Sequence, residues 1–430
     1  TREQKLQIVA DNTIETLDWQ PITPSAEGDW INQRDETFHT WPAIGSKKPE
    51  PGTVNVFTAY SRGLATGRDA WCYNYSRPEL SNNIHTLVEQ YRSAQTSFAD
   101  HCKHQSITKP TESDVTSYLT NHPDLTGTGR ISWNRGLKQD LAKNHPISWS
   151  DEAVRQFSYR PFCAQWGYID RHVNDMIYKL PAMFPTPHHA NPGFYQVGNG
   201  STVPFSVLMI RALPDLHVTG AGSGGQFFPR WTYLKASADD GTLDFADDQE
   251  ADEWGYRRVD NITDGILDLY RETVGDHVTK DDIFYYVYGV LHDPDYRTRY
   301  VADLKKMLPH IPTPDTAERF THVAGIGREL ADIHVNYEVA HPYPLDVQLK
   351  PGTDPNSRET WRVDKMRWRS KTDKSAILYN RRVAIADIPD QAHDYLIGSR
   401  TALEWLIDRY QVKTDKASGI VNDPNDWCDE

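Results

Sequence analysis

A chain of 430 residues is long enough for two or three domains and for a substantial hydrophobic core. Its content of 38% hydrophobic and 25% charged residues is ordinary for a globular protein, and no apolar run approaches the roughly 20 residues that a membrane-spanning helix needs. The formal net charge of −14 excludes a uniformly basic surface of the kind that favours phosphate binding.

The cysteines indicate the redox environment of the protein. They are scattered and form no CxxC pair, at Cys72, Cys102, Cys163 and Cys428. This scatter argues against a disulfide framework or a zinc knuckle and favours a reducing cytoplasm. No signal peptide opens the chain. It begins with Thr1, and residues 1–9 already have a helical pattern, so we expect a piece of a longer cytoplasmic polypeptide.

The N-terminal part of the chain leads into a glycine-rich turn. Residues 1–53 predict a helix followed by a connector that contains proline and tryptophan. Residues 54–77 predict a hairpin, in which two strands flank a turn that needs the backbone freedom of glycine. This segment carries Arg62, Arg68 and Asn74 within thirteen residues. Arginine and asparagine suit the edges of guanine and adenine in a DNA major groove; the alternative is an ordinary hairpin in which Arg68 pairs with neighbouring side chains.

Helices and then short strands follow. Apolar residues at helical spacing predict a helix over residues 78–103, with Ser81 as its N-cap, and shorter helices over 111–118 and 137–142. Residues 151–235 are dense in proline, glycine and aromatic residues. This composition favours short strands joined by long loops.

The second half of the chain begins with an acidic stretch at residues 239–253, which predicts a surface loop or a boundary. Residues 261–338 predict helices, one of which starts at the capping sequence TKDD at 279–282. Residues 345–388 predict strands, with closing helices up to residue 410. Together these elements predict a mixed α+β fold, in which a strand-and-loop subdomain accompanies a helical subdomain, and not a regular doubly wound sheet.

Sequences that mimic catalytic motifs are incomplete. The tetrapeptide NPGF at 191–194 has glycine where amino-methyltransferases that flip a base carry proline, and GAGSGG at 220–225 lacks the lysine of a P-loop. Asp295 and Asp303 are spaced like nuclease carboxylates but fall on a predicted helix, whereas that chemistry needs adjoining strands. The paired histidines at 188–189 fit a polar loop better than a metal site. The sequence therefore predicts no catalytic, cofactor or metal site.

One stretch of the chain is strongly basic. Residues 358–382 contain nine Lys or Arg against three Asp or Glu, an excess of six positive charges that leaves −20 on the remainder. Basic residues interleaved with tryptophan suit phosphate contacts together with packing on bases or sugars. A solvated basic strand fits the same pattern. An acidic body with one basic stripe is compatible with DNA binding.

The sequence GLATGRDAW at residues 63–71, followed by Tyr73 and Asn74, resembles the start of the C-terminal specificity region of type ISP restriction–modification enzymes. More loosely, it resembles the start of target-recognition domains in other adenine methyltransferases. Further segments resemble the type ISP family in the same order along the chain: YRPF at 159–162, DIFYYVYGVL at 282–291, LPHIP at 308–312, TALEW at 401–405, DRY at 408–410 and SGIVNDPNDW at 418–427. The resemblance extends from residue 54 to the C-terminus.

Enzymes of that family combine a nuclease, a helicase-type ATPase, an adenine methyltransferase and a target-recognition domain in one bacterial polypeptide. The Walker, helicase and Asn-Pro-Pro-Tyr segments are absent from this sequence, so the resemblance is to the last part only. It implies four regions: residues 1–53 as the connector that follows the methyltransferase, 54–255 as a β-rich target-recognition subdomain with inserted helices, 256–344 as a helical subdomain, and 345–430 as C-terminal strands and helices that complete the recognition domain.

The resemblance also implies what this region does. It would be a sequence-specific duplex DNA recognition module, which positions a target adenine for the upstream methyltransferase and licenses the helicase and nuclease of the same polypeptide. It implies no cofactor in this region, and ATP, Mg²⁺ and S-adenosylmethionine for the full-length enzyme. The predicted DNA-binding residues, in the grooves or at phosphates, are Arg62, Thr66, Arg68, Asn74, Arg160, Lys365, Arg367, Arg369, Lys371, Arg381 and Arg382.

Two other classes of function stay open at this point. One is a free-standing DNA-modifying enzyme, a nuclease or a methyltransferase with degenerate motifs. The other is a protein-interaction scaffold, which the acidic balance of the chain favours.

Overall fold

A computed structural model describes residues 1–31, 33–236 and 250–427. Most of the predicted acidic loop and Cys428 lie outside these residues. The described chain has a mixed α+β fold, as the sequence predicts, with several small sheets and helices between them. No helix in these described ranges is both long enough and apolar enough to cross a membrane.

The helices and strands of the described residues have the following bounds. The helices are α1 (Arg2–Asp11), α2 (Asp69–Cys72), α3 (Arg77–His104), α4 (Glu112–Thr120), α5 (Arg135–Ala142), α6 (Leu180–Met183), α7 (Asp264–Val274), α8 (Lys280–Val290), α9 (Pro294–Arg299), α10 (Val301–Lys306), α11 (Ala317–Val335), α12 (Arg358–Trp361) and α13 (Ala402–Arg409). The strands are β1 (Ser61–Arg62), β2 (Tyr73–Asn74), β3 (Val154–Arg160), β4 (Cys163–Tyr168), β5 (Gly193–Gln196), β6 (Val207–Ile210), β7 (Leu213–Pro214), β8 (Gln226–Pro229), β9 (Trp231–Lys235), β10 (Tyr256–Asp260), β11 (Asp346–Leu349), β12 (Arg367–Trp368), β13 (Ile377–Leu378), β14 (Val383–Ala386), β15 (Leu396–Ile397), β16 (Arg400–Thr401), β17 (Lys413–Thr414) and β18 (Val421–Asn422).

The strands form small, mostly antiparallel sheets. Three sheets have four strands each, in the orders β1-β8-β5-β6, β2-β4-β3-β7 and β11-β14-β13-β12. Two-stranded sheets pair β9 with β10, β15 with β16, and β17 with β18. Only β3 and β7 run parallel among the described strands. This topology differs from a doubly wound sheet, in which neighbouring strands are mostly parallel.

The predicted hairpin over residues 54–77 is wrong. β1 pairs with β8, with Ser61 opposite Phe227, whereas β2 pairs with β4, with Tyr73 opposite Gly167. The short helix α2 lies between them, so the chain passes here from one four-stranded sheet to another. β1 lies just after the apolar run that predicts the first strand, whereas β2 lies within the second predicted strand, and the partners of both are far along the sequence.

Glycine is required at two positions of this turn, as the sequence predicts. Gly67 has a φ of +66°, in the left-handed region that other residues rarely adopt. A Cβ atom on Gly63 would lie 2.1 Å from the carbonyl oxygen of Asp215. Next to it, the N–H of Leu64 donates to the carbonyl of Pro214 at 2.8 Å. The end of β1 is therefore held against the segment around Asp215.

The N-cap of the long helix α3 is Ser76 and not Ser81. The hydroxyl of Ser76 accepts a hydrogen bond from the N–H of Glu79 at 3.3 Å. Pro78 lies in the first turn, where a missing N–H costs nothing because the first helical N–H groups have no intrahelical acceptor. The helix therefore begins before the apolar pattern that predicts it.

The capping sequence of α8 is confirmed. The hydroxyl of Thr279 accepts from the N–H of Asp282 at 3.2 Å, and the carboxylate of Asp282 accepts from the N–H of Thr279 at 3.1 Å. The buried face of α8 packs with α11 in one hydrophobic core, together with Phe194 and Phe228 of the β1 sheet. Phe38, from the predicted connector, lies in the same core. This core crosses the predicted boundaries, and the division into regions stays a prediction.

Two further cores hold the sheets and the N-terminal helices. One joins α3, α4 and α5. The other contains Phe157 of β3, Tyr195 of β5, Phe227 of β8 and Trp405 of α13. It therefore joins the two four-stranded sheets that contain β1 and β2 and fixes the position of the β1 edge.

Two glycines of α11 provide a matched test of its packing against α8. A Cβ atom on Gly327 would lie 2.0 Å from the carbonyl oxygen of Tyr285 in α8, whereas one on Gly325 has nothing within 4 Å. We expect Gly327→Ala to lower the free energy of unfolding by about 1–3 kcal/mol. Gly325→Ala should raise it by about 0.4–1 kcal/mol, because alanine loses less conformational entropy in a helix. Urea denaturation of both variants measures the difference, and equal effects would contradict this packing.

Candidate nucleic-acid interface

A basic cleft lies beside β1, which is one of the two edge strands of its sheet. The cleft has a volume of about 510 Å³ and is lined by Ser46, Lys47, Thr58, Tyr60, Ser61, Arg62, Tyr178, Lys179 and Gln226. We call it the β1 cleft. Its lining contains no Asp or Glu among the described residues, and the side chains of Lys47, Arg62 and Lys179 are exposed. The charged residues that line the cleft are therefore all basic, although the whole chain is acidic.

A backbone hydrogen bond places one cation of the β1 cleft, Lys179, beside the edge strand. The N–H of Lys179 donates to the hydroxyl of Ser61 at 3.0 Å, which ties the 178–179 turn to β1. Tyr178 turns the chain there with a φ of +48°. The ring of Tyr60 stacks on Phe228, with ring centroids 5.0 Å apart. Within the described residues, Lys47, Arg62 and Lys179 form no ion pair. These cations are therefore available to an anionic partner.

Arg68 has a different environment, because its side chain lies inside the protein. The residue is 5% exposed, and its guanidinium donates to the carbonyl of Ser132 at 3.1 Å and to the carbonyl of Val173. Burial lowers its pKa. Arg68 therefore links three segments of the chain and does not pair with Asp69. Its predicted contact with DNA stays a prediction.

Thr66 and Asn74 are also buried, each with 1% exposure. The hydroxyl of Thr66 donates to Asp69 and accepts from the N–H of Arg68 at 3.2 Å, which shapes the turn before α2. The amide of Asn74 donates to the carbonyl of Val421 at 3.1 Å, so it ties β2 to the C-terminal strands. Both side chains are therefore engaged within the fold.

Arg160 lies in a buried ion pair. Its Nη1 is 2.6 Å from Oδ1 of Asp215, and the side chains are 11% and 4% exposed. The guanidinium also lies 4.0 Å from the centre of the Tyr159 ring. Burial alone would lower the pKa of Arg160, but the charge and hydrogen bond of Asp215, together with the nearby Tyr159 and Asp69, raise it overall. The hydroxyl of Tyr73 adds a hydrogen bond to Asp215 at 3.2 Å.

The predicted basic stripe forms a second cleft. Lys365, Arg367 and Arg381 line a volume of about 280 Å³ at the β12–β13 pair, together with Asp364, Leu378 and Asn380. We call it the β12 cleft. Asn380 is held in the lining of this cleft because its amide donates to the carbonyls of Thr360 and Arg362 at 2.8 and 2.9 Å. Three of the six basic residues predicted to contact phosphate therefore lie together around the β12 cleft.

The other three predicted basic residues, Arg369, Lys371 and Arg382, do not line the β12 cleft. Arg369 pairs with Asp373 at 3.5 Å. Arg382 donates from Nη1 to the carbonyl of Glu359 at 2.6 Å. Lys371 is exposed in the loop between β12 and β13.

Residues of two motifs that mimic catalytic sites, Asn191 and His189, make contacts within the protein. The amide of Asn191 is buried and donates to the carbonyls of Met183 and Trp231 at 2.9 and 2.7 Å. His189 lies 2.7 Å from the carboxylate of Asp252. Among the described residues, no group of three or more His, Cys, Asp or Glu is arranged to hold a metal ion.

A sequence model of the Type ISP C-terminal specificity domain matches residues 55–430. The chain belongs to this family. The predicted resemblance is therefore confirmed. No curated protein shows significant similarity to the specificity domain.

Solved structures of larger proteins resemble the specificity domain over nearly its whole length. A nuclease-deletion mutant of the Type ISP restriction-modification enzyme LlaGI, in complex with a DNA substrate mimic, is 33% identical with a TM-score of 0.78, and the match covers 100% of this chain and 30% of that one. The ATP-dependent Type ISP restriction-modification enzyme LlaBIII bound to DNA is 30% identical with a TM-score of 0.76, covering 96% and 24%. A DrdV–DNA complex is 26% identical with a TM-score of 0.75, covering 96% and 38%. The specificity domain thus spans 24–38% of the length of these proteins.

Sequence reasoning missed both lysines and the glutamine of the β1 cleft. Lys47, Lys179 and Gln226 come from three segments that are far apart in the sequence. The dibasic pair at 47–48 was the one local signal, and nothing in its spacing connects it to Arg62. The fold, and not a motif, brings these side chains together.

Proposed function

We propose that the specificity domain binds duplex DNA in a sequence-specific manner through the β1 cleft. The observation that carries this proposal is the set of three exposed, unpaired cations around the edge strand β1. Phosphate binding needs such cations, and base recognition needs side chains held on a rigid element. The family membership and the DNA-bound relatives support the same function.

Each cation has a proposed role. Arg62, on the strand itself, reaches a guanine edge in the major groove, where arginine makes the commonest specific contact. Lys47 and Lys179 flank it and contact phosphates. The β12 cleft contributes further phosphate contacts through Lys365, Arg367 and Arg381.

The buried members of the predicted set act from inside the fold. Arg68 and Thr66 fix the turn after β1, and Arg160 fixes Asp215 beside it. Asn74 anchors β2 to the C-terminal strands. We propose that these residues position the DNA-binding surface.

The remaining parts of the proposal concern the full-length polypeptide. Once bound to DNA, the domain would position an adenine for a methyltransferase domain that uses S-adenosylmethionine. It would also license helicase and nuclease domains that use ATP and Mg²⁺. A duplex DNA target in a bacterial cell implies a cytoplasmic location.

Substitutions in the β1 cleft test this function. In the full-length polypeptide that contains this sequence, Arg62→Ala should weaken binding of the cognate duplex by about 1–3 kcal/mol and relax one base position. Lys47→Ala should weaken the binding of all duplexes alike. It should also reduce the slope of the logarithm of the binding constant against the logarithm of the salt concentration by about 0.9. Fluorescence anisotropy over a series of salt concentrations measures both effects.

The matched control is Lys103→Ala. Lys103 is an exposed lysine at the end of α3, 3.2 Å from the carboxylate of Asp100. We expect this substitution to change neither the affinity nor the salt slope. If Arg62→Ala and Lys47→Ala behave like this control, the proposed site is wrong.

A further inference from the structure

Gln226 is the one member of the β1 cleft whose polar group is buried without a partner. The residue is 8% exposed and lines the cleft. Its Oε1 atom has no hydrogen-bond partner in the described part of the chain. A buried carbonyl oxygen normally has one, because losing the bond to water carries a free-energy penalty. Oε1 of Gln196, opposite Gln226 in β5, is also without a partner, but only Gln226 of the two lines the cleft, where a polar ligand can supply one.

The sheet register places Gln226 beside Arg62. Arg62 in β1 lies opposite Gln226 in β8, which in turn lies opposite Gln196 in β5. Directly opposed residues of antiparallel strands point to the same face, and neighbouring strands lie about 4.8 Å apart. Base pairs in a duplex follow one another at about 3.4 Å. Side chains of this row can therefore reach neighbouring base pairs of one duplex.

Gln226 is also held on a rigid backbone. The N–H of Gly225 donates to the hydroxyl of Tyr195 at 2.8 Å, and that hydroxyl donates to the carbonyl of Leu216 at 2.6 Å. A Cβ atom at Gly225 would lie 2.0 Å from the ring of Tyr195. The start of β8 is therefore fixed beside the cleft. The last torsion of a glutamine side chain has a broad energy profile, so the amide can adjust to a ligand that enters the cleft.

We propose that Gln226 reads an adenine of the recognition sequence through the major groove. The carboxamide accepts a hydrogen bond from the adenine N6 amino group and donates one to N7, which is the bidentate pairing that glutamine makes with this base. The adenine lies next to the base that Arg62 contacts. Gln196 lies one strand further from the edge and does not line the cleft. This inference rests on the proposed function and names a base that the site selects.

Selection from a random duplex library tests the assignment. We would use the full-length polypeptide and compare wild type with Gln226→Leu and Gln226→Glu. The wild type should enrich a sequence with an adenine at one position. Gln226→Leu should lose the preference at that position alone and bind the enriched duplex roughly 5- to 150-fold more weakly. Gln226→Glu should change the preference there towards cytosine, because a carboxylate accepts from the N4 amino group.

The control variant is Gln348→Leu, because Gln348 is exposed on β11 in another sheet. It should enrich the wild-type sequence, and unchanged thermal melting of both Gln226 variants verifies that they fold. An unchanged base profile in a folded Gln226→Leu or Gln226→Glu variant would overturn the assignment of Gln226 while leaving the proposed function intact. A wild-type polypeptide that binds duplex DNA but enriches no sequence, or that binds none, would overturn the proposed function and the assignment together.

Discussion

Asp215→Ala should lower the free energy of unfolding by about 3–5 kcal/mol. The substitution leaves the guanidinium of Arg160 buried without its counter-charge, since the pair is separated by 2.6 Å and both side chains are nearly inaccessible. It also removes the acceptor of the Tyr73 hydroxyl and of the His217 N–H. Urea denaturation followed by tryptophan fluorescence measures the loss.

The consequence extends to the β1 cleft. The backbone around Asp215 pairs with Leu64, two residues after β1: the N–H of Leu64 donates to the carbonyl of Pro214 at 2.8 Å, and the N–H of Leu216 donates to the carbonyl of Leu64 at 2.9 Å. We therefore expect weaker DNA binding as well. Asp373→Ala serves as the control, because its pair with Arg369 is exposed and such pairs contribute less than about 1 kcal/mol. A loss of the same small size for Asp215→Ala would show that the buried pair does not stabilise the fold.

Removing the three cations of the β12 cleft should have the largest effect on DNA binding. The triple variant Lys365→Ala, Arg367→Ala and Arg381→Ala should reduce the slope of log K against log salt by roughly 2.7, which is about 0.9 for each phosphate that the protein no longer neutralises. The base preference should stay unchanged, because phosphate contacts carry no sequence information. Anisotropy titrations at several salt concentrations measure the slope, and library selection measures the preference.

A second triple variant removes the same charge elsewhere. Lys103, Arg135 and Arg319 are exposed cations that pair with carboxylates at 3.2, 3.4 and 3.3 Å. Changing all three to alanine should leave the slope unaltered. If both triple variants reduced the slope equally, the effect would come from the net charge of the protein and not from the β12 cleft.

Much of the fold is encoded locally and was predictable. The capping sequence at Thr279 fixes the start of α8, and the apolar spacing predicts most of α3. The ordered family segments identify the specificity domain. The partner strands of β1 and β2 were not predictable in this way. β1 pairs with β8 and β2 pairs with β4, and each partner is more than ninety residues away in the sequence. Strand propensity is a local property, whereas strand pairing depends on the whole core.

The candidate site also combines features that the local sequence predicts with features that depend on the whole fold. Arg68 has the residue type and the glycine-flanked position of a DNA contact, but an arginine that binds the carbonyls of Ser132 and Val173 has the same local sequence. The basic stripe was predictable, because its charges are close in the sequence, and Lys365, Arg367 and Arg381 do converge. The cations around β1 converge only through the fold.

Lysine footprinting of the full-length polypeptide tests the site most directly. Acetylation with and without duplex DNA, read by mass spectrometry, reports the accessibility of each lysine without any substitution. We expect DNA to protect Lys47 and Lys179 in the β1 cleft while Lys103, on α3, reacts at the same rate in both states. Equal acetylation of Lys47 and Lys179 with and without bound DNA would contradict the placement of the duplex at the β1 cleft.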